Sequence, residues 1–541
     1  MVAQTPLEYG LPAPSWWAYQ KETVEALIAA FDRSRYVMLK APTGAGKTIL
    51  AAALSKEMDW RSVYLTETIN LQGQYLRTLS GAKTATGRRN HQCDLMVGSI
   101  TAEDGPCPCP LAEEEGTACS YYRQWYACEE ANDVVLNYPY AVRVMKAQGL
   151  RVGHDEEFGR SITLPNPFKA RSLMVCDEGH LLEKALLAAT GVEVRAQTLS
   201  SCDLQAPENP SSLRSWKTWA SVVGMGVKGR MMSARSLLQS YAEHGTVPKA
   251  VGAGVRRWST MNSVVEQIRG LGDDCMVFRT GAGWHIRPLW VARSAEKALF
   301  RYADRVLIMS ATLGDTGLLA RILGIDEVET VEMPSTFPVE NRKVFYWPVM
   351  RMNASTPKDD RMKQVAALNH IANLGDFKGT KGVVHCASYA LAQELYNNAP
   401  QDVRSRMIVH EPTTREDAFK EFLNASSPAI LVSPSAMTGV DWPYQVRWQM
   451  LPKMPFGDLG DDFTRARFEY VDETGHALGK EVYANETGNM TVQACGRCTR
   501  AADDTGTTVI TDSNFWPNFR HTAKGAYPDW FKEAVVRYRG G

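Results

Sequence analysis

The sequence predicts an α/β protein built on parallel β-sheets. Apolar runs of strand length recur along the 541 residues with helical segments between them, which is typical of α/β architecture. Nearly every run is followed by a polar or glycine-containing cluster, and ligands bind at the carboxyl ends of strands in open parallel sheets. The clearest runs lie at residues 36–39, 63–65, 173–176, 306–309, 383–385, 430–432 and 509–510.

Length and composition limit the class of protein and the number of domains. Apolar content of 44% and charged content of 22% describe a soluble globular protein, and the length predicts about three or four domains. The net charge is zero, so any nucleic-acid binding must come from local basic and aromatic surfaces. Neither an export signal nor an apolar stretch of membrane-spanning length is seen, and we expect a cytoplasmic protein without a membrane partner.

The first strand leads into a phosphate-binding loop. It reads Ala41-Pro42-Thr43-Gly44-Ala45-Gly46-Lys47-Thr48, and an Ala-rich helical run at 49–54 follows. Glycines let backbone N–H groups close on a triphosphate, the lysine reaches its β/γ oxygens, and the threonine hydroxyl holds Mg²⁺. The structural alternative is a glycine turn before a helix. The strand–loop–helix context favours ATP and Mg²⁺ as ligands, and alanine in the first position is typical of nucleic-acid motor ATPases.

A pair of carboxylates follows the strand at 173–176, in Asp177-Glu178-Gly179-His180. Two adjacent carboxylates at a strand end suit two tasks: one holds Mg²⁺, and the other orients or deprotonates the attacking water. Alone, such a pair is usually a solvated turn. Downstream of a phosphate loop, the catalytic interpretation is favoured.

A third cluster runs from Gln493 to Arg500. Arg497 and Arg500 are three residues apart and share one face of a helix, so they suit arginine fingers on a developing γ-phosphate charge. A basic surface helix is the alternative. The embedded Cys495-x-x-Cys498 lacks the sequence context of a redox or metal pair.

Eleven cysteines in a chain without an export signal indicate metal binding or reduced core thiols rather than disulfides. Four of them, Cys93, Cys107, Cys109 and Cys119, lie in one loop rich in Gly, Pro and Glu, and Cys128 follows in a helical stretch at 121–131. The section from 197 to 272 breaks the α/β rhythm with long helical runs at 213–243 and 261–271. It is predicted to be an insertion.

In this order the motifs resemble the XPD/DinG group of superfamily 2, the iron–sulfur-cluster helicases, over nearly the whole chain. Tyr19-Gln20 resembles the element that meets adenine, and residues 64–74 match motif Ia, a DNA-backbone contact, through Thr68, Asn70 and Gln74. Residues 87–93 and 119–122 resemble the two ends of the cluster domain. Asp177 to His180 stands for the family's Asp-Glu-Ala-His, and Ser310 to Leu313 is similar to motif III. Residues 335–338 with Arg342 resemble a stretch at the entry to the second motor domain. The remaining matches are 384–389 to motif IV, 438–443 to motif V and 493–500 to motif VI.

The resemblance implies two RecA-like motor domains, with a cluster domain and a small helical arch-like insertion inside the first. The implied division is motor domain 1 at 1–85, 129–195 and 274–330, the Fe–S domain at 86–128, the arch-like insertion at 196–273 and motor domain 2 at 331–541. A stretch at 275–290 with Gly281-Ala282-Gly283 at its centre is a plausible hairpin that returns to domain 1.

The resemblance also implies the cofactor: four thiolates hold a [4Fe–4S] cluster. The implied ligands are Cys93, Cys107, Cys109 and Cys119, with Cys128 as a substitute for Cys107 or Cys109. A four-thiolate zinc site is the alternative that the same residues allow.

Roles follow from the same resemblance. The implied nucleotide-binding residues are Tyr19, Gln20, Pro42, Thr43, Gly44, Ala45, Gly46, Lys47, Thr48, Gly439 and Asp441. The implied catalytic residues are Lys47, Asp177, Glu178, Gln493, Arg497 and Arg500. Thr48 and Asp177 hold Mg²⁺, and His180, Ser310 and Thr312 couple hydrolysis to movement. Tyr121 and Tyr122 either meet the duplex fork or pack under the cluster.

The implied activity is 5′→3′ DNA unwinding by a monomer that acts on single strands and duplex forks in repair, replication or recombination. The compact size favours a bacterial or phage origin. Two rival classes are an ATPase that remodels protein–nucleic-acid complexes or R-loops without unwinding, and a zinc-based nucleic-acid-binding module. The ATPase motifs argue against the second.

Overall fold

The computed structural model describes residues 2–94, 101–103, 119–147, 154–155, 160–161, 171–243, 248–426, 428–437, 442–499, 501 and 503–538. Within these ranges no helix is both long and apolar enough to cross a membrane. Predictions that fall on Cys107, Cys109, Gly439, Asp441 and Arg500 lie outside the described residues.

The first half of the chain is organised around a parallel sheet. The strands in this half of the chain, inside and outside that sheet, are β1 (Tyr36–Lys40), β2 (Ser62–Thr66), β3 (Lys83–Thr84), β4 (Asp133–Asn137), β5 (His154–Asp155), β6 (Arg160–Ser161), β7 (Arg171–Asp177), β8 (Val192–Arg195), β9 (Cys275–Thr280), β10 (Gly283–Pro288), β11 (Ala303–Ser310) and β12 (Glu329–Glu332). Among the described residues the sheet has seven strands, in the order β12-β1-β11-β7-β2-β4-β3. Its central strands are buried on both faces, which explains their near-continuous apolar sequences.

Helices cover this sheet and extend beyond it. They are α1 (Gln20–Phe31), α2 (Lys47–Glu57), α3 (Ile69–Thr78), α4 (Ser120–Glu130), α5 (Tyr138–Ala147), α6 (Leu182–Thr190), α7 (Ala196–Ser201), α8 (Leu213–Glu243), α9 (Lys249–Arg269), α10 (Ala295–Ala298) and α11 (Thr316–Leu323). The small side chains of α2 let it lie close to the sheet, where Leu50 to Ser55 are all buried. The phosphate-loop helix is therefore held firmly by its own packing.

The helical section predicted near 197–272 forms a separate unit. Helices α8 and α9 pack along each other and on the antiparallel sheet β8-β10-β9. The expected hairpin is present as β9 and β10. Trp216, Trp258 and Trp284 belong to the apolar core of the unit, which is distinct from the core of the parallel sheet.

The second half of the chain repeats the parallel arrangement. Its strands are β13 (Val344–Met350), β14 (Gly382–His385), β15 (Met407–Val409), β16 (Ile430–Ser433), β17 (Trp448–Leu451), β18 (Thr507–Asp512) and β19 (Val535–Arg537). The order within the described residues is β15-β16-β14-β17-β18-β13-β19. Its helices are α12 (Lys358–Ala372), α13 (Tyr389–Asn398), α14 (Gln401–Arg404), α15 (Arg415–Asn424), α16 (Asp462–Phe468), α17 (Leu478–Cys495), α18 (Phe515–Pro517) and α19 (Asp529–Lys532).

The predicted fold class is confirmed: two α/β domains, each with a parallel seven-stranded sheet among the described residues, are the architecture of two RecA-like domains. Each apolar run identified in the sequence lies inside one of the parallel strands. The carboxyl ends of these strands position the polar clusters that follow them.

The two domains are joined by a contact that lies away from these strand ends. Phe463 of α16 is buried edge-on against Phe278 of β9, with ring centroids 5.2 Å apart, and the Arg287 guanidinium lies over the Phe463 ring. Beside them Arg467 donates to Glu183 at 2.8 Å, and both side chains are largely buried. This aromatic contact and the buried ion pair thus hold α16 of the second domain against β9, β10 and α6 of the first half of the chain.

We expect Phe463→Ala to weaken this contact, because loss of a buried phenyl ring typically costs about 3–5 kcal/mol. The apparent Tm measured by calorimetry should fall, and the two domains should begin to unfold separately. Phe468→Ala on the same helix is the matched control, since Phe468 packs on Tyr483 within its own domain. Equal melting of the two variants would contradict the assignment of Phe463 to the domain contact.

Candidate nucleotide-binding site between the two domains

The phosphate loop connects β1 to α2 in the conformation that its glycines require. Gly44 and Gly46 have φ of 79° and 74°, a region that residues with a Cβ rarely adopt. Gly46 is the N-cap of α2, so the first N–H groups of that helix face the loop. A helix N-terminus beside a glycine turn is an anion site, as the sequence predicts.

Residues from before the loop brace it. The buried Gln20 donates from Nε2 to the Ala45 carbonyl at 3.0 Å and accepts from the Trp17 N–H at 2.9 Å. Tyr19 has a left-handed backbone and is exposed. Trp17 is 57% exposed and its ring lies against Gly46, an aromatic face beside the loop that sequence reasoning missed.

Asp177 ends β7 as a buried carboxylate. It accepts hydrogen bonds from the Tyr75 hydroxyl at Oδ2 and from the Glu178 N–H at Oδ1, both at 2.9 Å. Burial, and then the charge of Glu178, raise the pKa of Asp177 to about 6. A buried carboxylate of this kind, close to the end of the phosphate loop, is a hard oxygen ligand that suits Mg²⁺.

Glu178 has the opposite electrostatic character. Burial alone would raise its pKa, but Lys47, His180 and Ser310 stabilise the charged form and lower the pKa to about 2. The Lys47 Nζ lies 3.9 Å from Glu178 Oε1, and Ser310 Oγ donates to Oε2 at 3.0 Å. Glu178 also has φ of 49°, a strained conformation of the kind that clusters at functional sites.

The sequence has Gly179 where the family pattern has alanine, and the structure provides a reason. A Cβ at Gly179 would collide with the Ile308 side chain of β11 and would press against Leu313. The close approach of this turn to the neighbouring strand therefore requires glycine.

His180 links the two domains. Its Nδ1 lies 2.9 Å from Ser310 Oγ, and its Nε2 accepts from the Gln493 amide at 2.8 Å. The same amide nitrogen donates to Thr312 Oγ1 at 2.9 Å. Gln493 lies on α17 of the second domain. Its side chain therefore contacts residues from two motifs of the first domain.

A second contact reinforces this bridge. The Asp315 N–H, just after motif III, donates to Asn485 Oδ1 of α17 at 2.9 Å. Gly314 has φ of 75°, and a Cβ there would collide with Asn485 and Asn489. The sequence pattern offers no signal for Asn485, because asparagine inside a helix has no motif of its own.

Arg497 follows the end of α17 and is tied to its own domain. Its Nε donates to the Met437 carbonyl at 2.8 Å, just before the segment resembling motif V. Arg497 thus lies after the helix that carries Gln493, in line with the predicted cluster. Its proposed partner Arg500 and the motif V residues Gly439 and Asp441 lie outside the described residues.

The candidate strand contacts divide into two groups. Thr68, Asn70 and Gln74 are exposed on or beside α3, where a ligand can reach them. Tyr121 and Tyr122 are 4% and 0% exposed and pack with Trp125. A nucleic-acid contact through these two tyrosines would require them to move, so their geometry favours the packing alternative.

Two of the candidate cluster ligands, Cys93 and Cys119, are each followed by a residue that bonds the other segment. Cys93 and Cys119 are both buried, and the flanking residues are joined by a 2.5 Å hydrogen bond from the Ser120 N–H to Asp94 Oδ2. Cys128 lies in the core of the first domain, and burial raises the pKa of its thiol to about 12, which disfavours a thiolate ligand. No group of three or more metal-binding side chains is assembled within the described ranges.

Comparison with known proteins adds two family matches. Residues 14–193 match the family described as type III restriction enzyme, res subunit, and residues 371–534 match the family described as helicase C-terminal domain. No curated protein matches the chain.

Solved structures match over almost the full length. An XPD helicase aligns with a TM-score of 0.58 and 14% identity, covering 96% of this chain and 99% of that chain. Xpd4 of S. tokodaii aligns with a TM-score of 0.58 and 15% identity, covering 97% of this chain and 100% of that chain. A structure named as apo XPD aligns with a TM-score of 0.52 and 13% identity, covering 96% of this chain and 100% of that chain. The likeness shows a common fold.

The helicase C-terminal match over 371–534 and the res-subunit match over 14–193 indicate an ATP-driven motor of the helicase kind. Over nearly the whole chain the fold is similar to that of XPD helicases. The resemblance to XPD helicases noted from the motifs is thereby confirmed at the level of the fold.

The raised pKa of Asp177 predicts an unusual pH dependence. The pKa of Asp177 is about 6 in the folded protein, against 3.8 for an ordinary Asp, so the folded state binds this proton more tightly than the unfolded chain. The resulting stabilisation is fully present below pH 3.8 and is lost as the pH rises through about 6. Asp177→Asn removes the buried charge that is present at pH 7.5. In EDTA at that pH, the variant should therefore have a higher apparent Tm, by about 2–4 °C for each kcal/mol by which its free energy of unfolding rises. The gain should shrink as the pH falls from 6 to 4.

Glu178→Gln is the matched control, because the pKa of Glu178 is lowered and its charge stabilises the fold at neutral pH. It should lower the apparent Tm at pH 7.5. If Asp177→Asn instead destabilised the protein as much as Glu178→Gln, burial of an ionised Asp177 would not be the cost that the structure indicates.

Proposed function

We propose that this protein is an ATP-dependent DNA helicase that couples hydrolysis to 5′→3′ translocation on single-stranded DNA. The observation that carries the proposal is the bridge from Gln493 to His180 and Thr312. It brings motif VI of one domain onto motifs II and III of the other. A cleft closed by such a bridge opens or closes as the nucleotide changes, which is what a motor requires.

Nucleotide binding is proposed for the phosphate loop and the residues that brace it. The backbone of Gly44, Ala45 and Gly46 with Lys47 would cradle the phosphates, and Tyr19 and Gln20 would meet adenine. Thr48 and Asp177 would hold Mg²⁺, which supplies charge neutralisation between the β- and γ-phosphates. Pro42, Thr43, Gly439 and Asp441 complete the proposed set.

Hydrolysis is proposed to depend on the contrast between the two carboxylates. Glu178 is ionised at neutral pH and held by Ser310 and Lys47, so it can orient the attacking water and accept its proton. Lys47, released from Glu178, would pair with the phosphate oxygens. Arg497 and Arg500 would stabilise the charge that develops on the γ-phosphoryl group.

Coupling to movement is proposed for His180, Ser310, Thr312 and Gln493. The Gln493 amide donates to His180 Nε2, so the ring proton lies on Nδ1, toward Ser310 and Glu178. A change at Glu178 after hydrolysis therefore alters a hydrogen-bond chain that ends on the second domain. Thr68, Asn70 and Gln74 would hold the strand backbone at the exposed side of α3.

Strand separation is proposed to involve a [4Fe–4S] domain ligated by Cys93, Cys107, Cys109 and Cys119. The burial of Cys93 and Cys119 supports this ligand set, and thiolates are the ligands that such clusters use. The proposed division keeps motor domain 1 at 1–85, 129–195 and 274–330, the cluster domain at 86–128, the arch-like insertion at 196–273 and motor domain 2 at 331–541. We propose a cytoplasmic monomer that acts on forks in DNA repair, replication or recombination.

ATP hydrolysis measured with and without single-stranded DNA or RNA tests the motor. We expect DNA to stimulate hydrolysis, and Lys47→Ala to reduce it by about 10²-fold or more. Gln493→Ala should keep nucleotide binding but lose the stimulation, because the bridge between the domains is gone. Met490→Ala, exposed on the same helix, is the matched control.

Forked duplexes with a single 5′ or 3′ tail test the direction. Unwinding that requires the 5′ tail supports the proposal. Stimulated hydrolysis without strand separation would favour the remodelling ATPase instead, and hydrolysis that no nucleic acid stimulates would contradict the motor.

Metal analysis of protein purified without oxygen tests the cluster. We expect visible absorbance and about four irons per chain, lost in Cys93→Ser and Cys119→Ser. Cys128→Ser is the control that should keep the iron, because Cys128 lies in the core of the first domain. One zinc per chain would instead establish the four-thiolate zinc alternative.

A further inference from the structure

The side chain of Tyr75 reaches from a proposed strand-binding helix into the metal site. Tyr75 lies on α3 and is 1% exposed. Its hydroxyl donates to Asp177 Oδ2 at 2.9 Å. Burial raises the pKa of this hydroxyl well above its usual range, and the Thr48 side chain acts in the opposite direction. The tyrosine thus touches Asp177, one of the two residues that the proposed function gives to Mg²⁺, although it belongs to neither the phosphate loop nor the strand that carries Asp177.

The other side of α3 faces solvent. Thr68 caps the helix by accepting from the Leu71 N–H, and Asn70 and Gln74 are exposed. Tyr75 is one residue from Gln74 and about 10 Å along the helix from Thr68, at 1.5 Å per residue. A helix this short moves as one body, so a displacement at its exposed end reaches the hydroxyl.

The buried face of α3 is incompletely satisfied. Gln72 is 2% exposed, and neither of its amide atoms has a hydrogen-bond partner among the described residues. A buried unpaired amide typically costs about 1–3 kcal/mol per group. Gln72 and Tyr75 are three residues apart and share a helix face. The Tyr75–Asp177 hydrogen bond therefore holds α3 in place although the buried Gln72 amide beside it opposes this arrangement.

We propose that Tyr75 is a positioning residue that couples strand binding at α3 to the metal-binding geometry of Asp177. The inference deepens the proposed function and rests on it. A strand that grips the exposed side of α3 shifts the helix, and Tyr75 turns the Asp177 carboxylate accordingly. Coupling between two binding sites is reciprocal, so Mg²⁺ and nucleotide alter the affinity for the strand by the same factor.

Tyr75→Phe tests the inference, because it removes the hydroxyl and keeps the ring. The matched control is Tyr64→Phe: Tyr64 is equally buried, its ring lies 5.4 Å from that of Tyr75, and its hydroxyl faces Asp133 instead of Asp177. Two titrations are measured for each protein: binding of a fluorescent ADP analogue against Mg²⁺ concentration, and binding of a labelled oligothymidine with and without the Mg²⁺–nucleotide.

For Tyr75→Phe we expect the half-saturating Mg²⁺ concentration to rise about tenfold, as for loss of an outer partner of a metal ligand. The factor by which Mg²⁺–nucleotide changes oligonucleotide affinity should fall toward one. Tyr64→Phe should match the wild type in both titrations. A Tyr75→Phe protein with the Mg²⁺ dependence and coupling factor of Tyr64→Phe would overturn the inference, as would a wild type whose strand affinity ignores Mg²⁺–nucleotide.

Hydrogen exchange of the unmodified protein provides a test that does not depend on a variant. Amide protection in Ile69–Thr78 should change when oligothymidine is added, and should change again with nucleotide in Mg²⁺ but not in EDTA. Unchanged protection of α3 would overturn the inference. If the wild type binds no oligonucleotide at all, the proposed function fails first, which separates that failure from the failure of Tyr75 as a coupling residue.

Discussion

The contact that the rest of the site depends on is the double hydrogen bond from the Gln493 amide to His180 and Thr312. One amide nitrogen satisfies two acceptors on different motifs, so small changes in either motif alter the same bond. Because Gln493 lies on α17, these changes are carried into the second domain by a helix of eighteen residues. One side chain of the second domain thus connects motifs II and III of the first.

The charged and hydroxyl groups that set the electrostatics of the cleft belong to the first domain. Asp177 and Glu178 are adjacent in sequence, yet burial and neighbours move their pKa values in opposite directions, to about 6 and about 2. Lys47 and Ser310 stand beside Glu178, whereas Asp177 is left with the Tyr75 hydroxyl and a backbone N–H. The two carboxylates therefore differ in electrostatic character, which fits the separate roles proposed for them. The two pKa values differ because of neighbouring residues that lie outside the Asp177-Glu178 pair in the sequence.

Much of this site was predictable because its chemistry is local. The phosphate loop, Asp177-Glu178 and Gln493 are short segments in which neighbouring residues dictate the conformation: the glycines allow positive φ, and a strand end presents whatever follows it. The strands were predictable for a related reason, since burial on both faces demands continuous apolar runs. Gly179 also becomes intelligible once Ile308 is seen to fill the space of a Cβ.

The sequence by itself determined the α/β class, the order of the motifs and the residues of the candidate phosphate loop. Only the tertiary structure decided that Trp17 lies against the loop, that Tyr75 bonds Asp177, that Asn485 holds the Asp315 N–H and that Tyr121 and Tyr122 are buried. These facts depend on segments far apart in the chain. Their partners are chosen by the packing of helices and domains, and no local pattern of residues records which distant surface a side chain will meet.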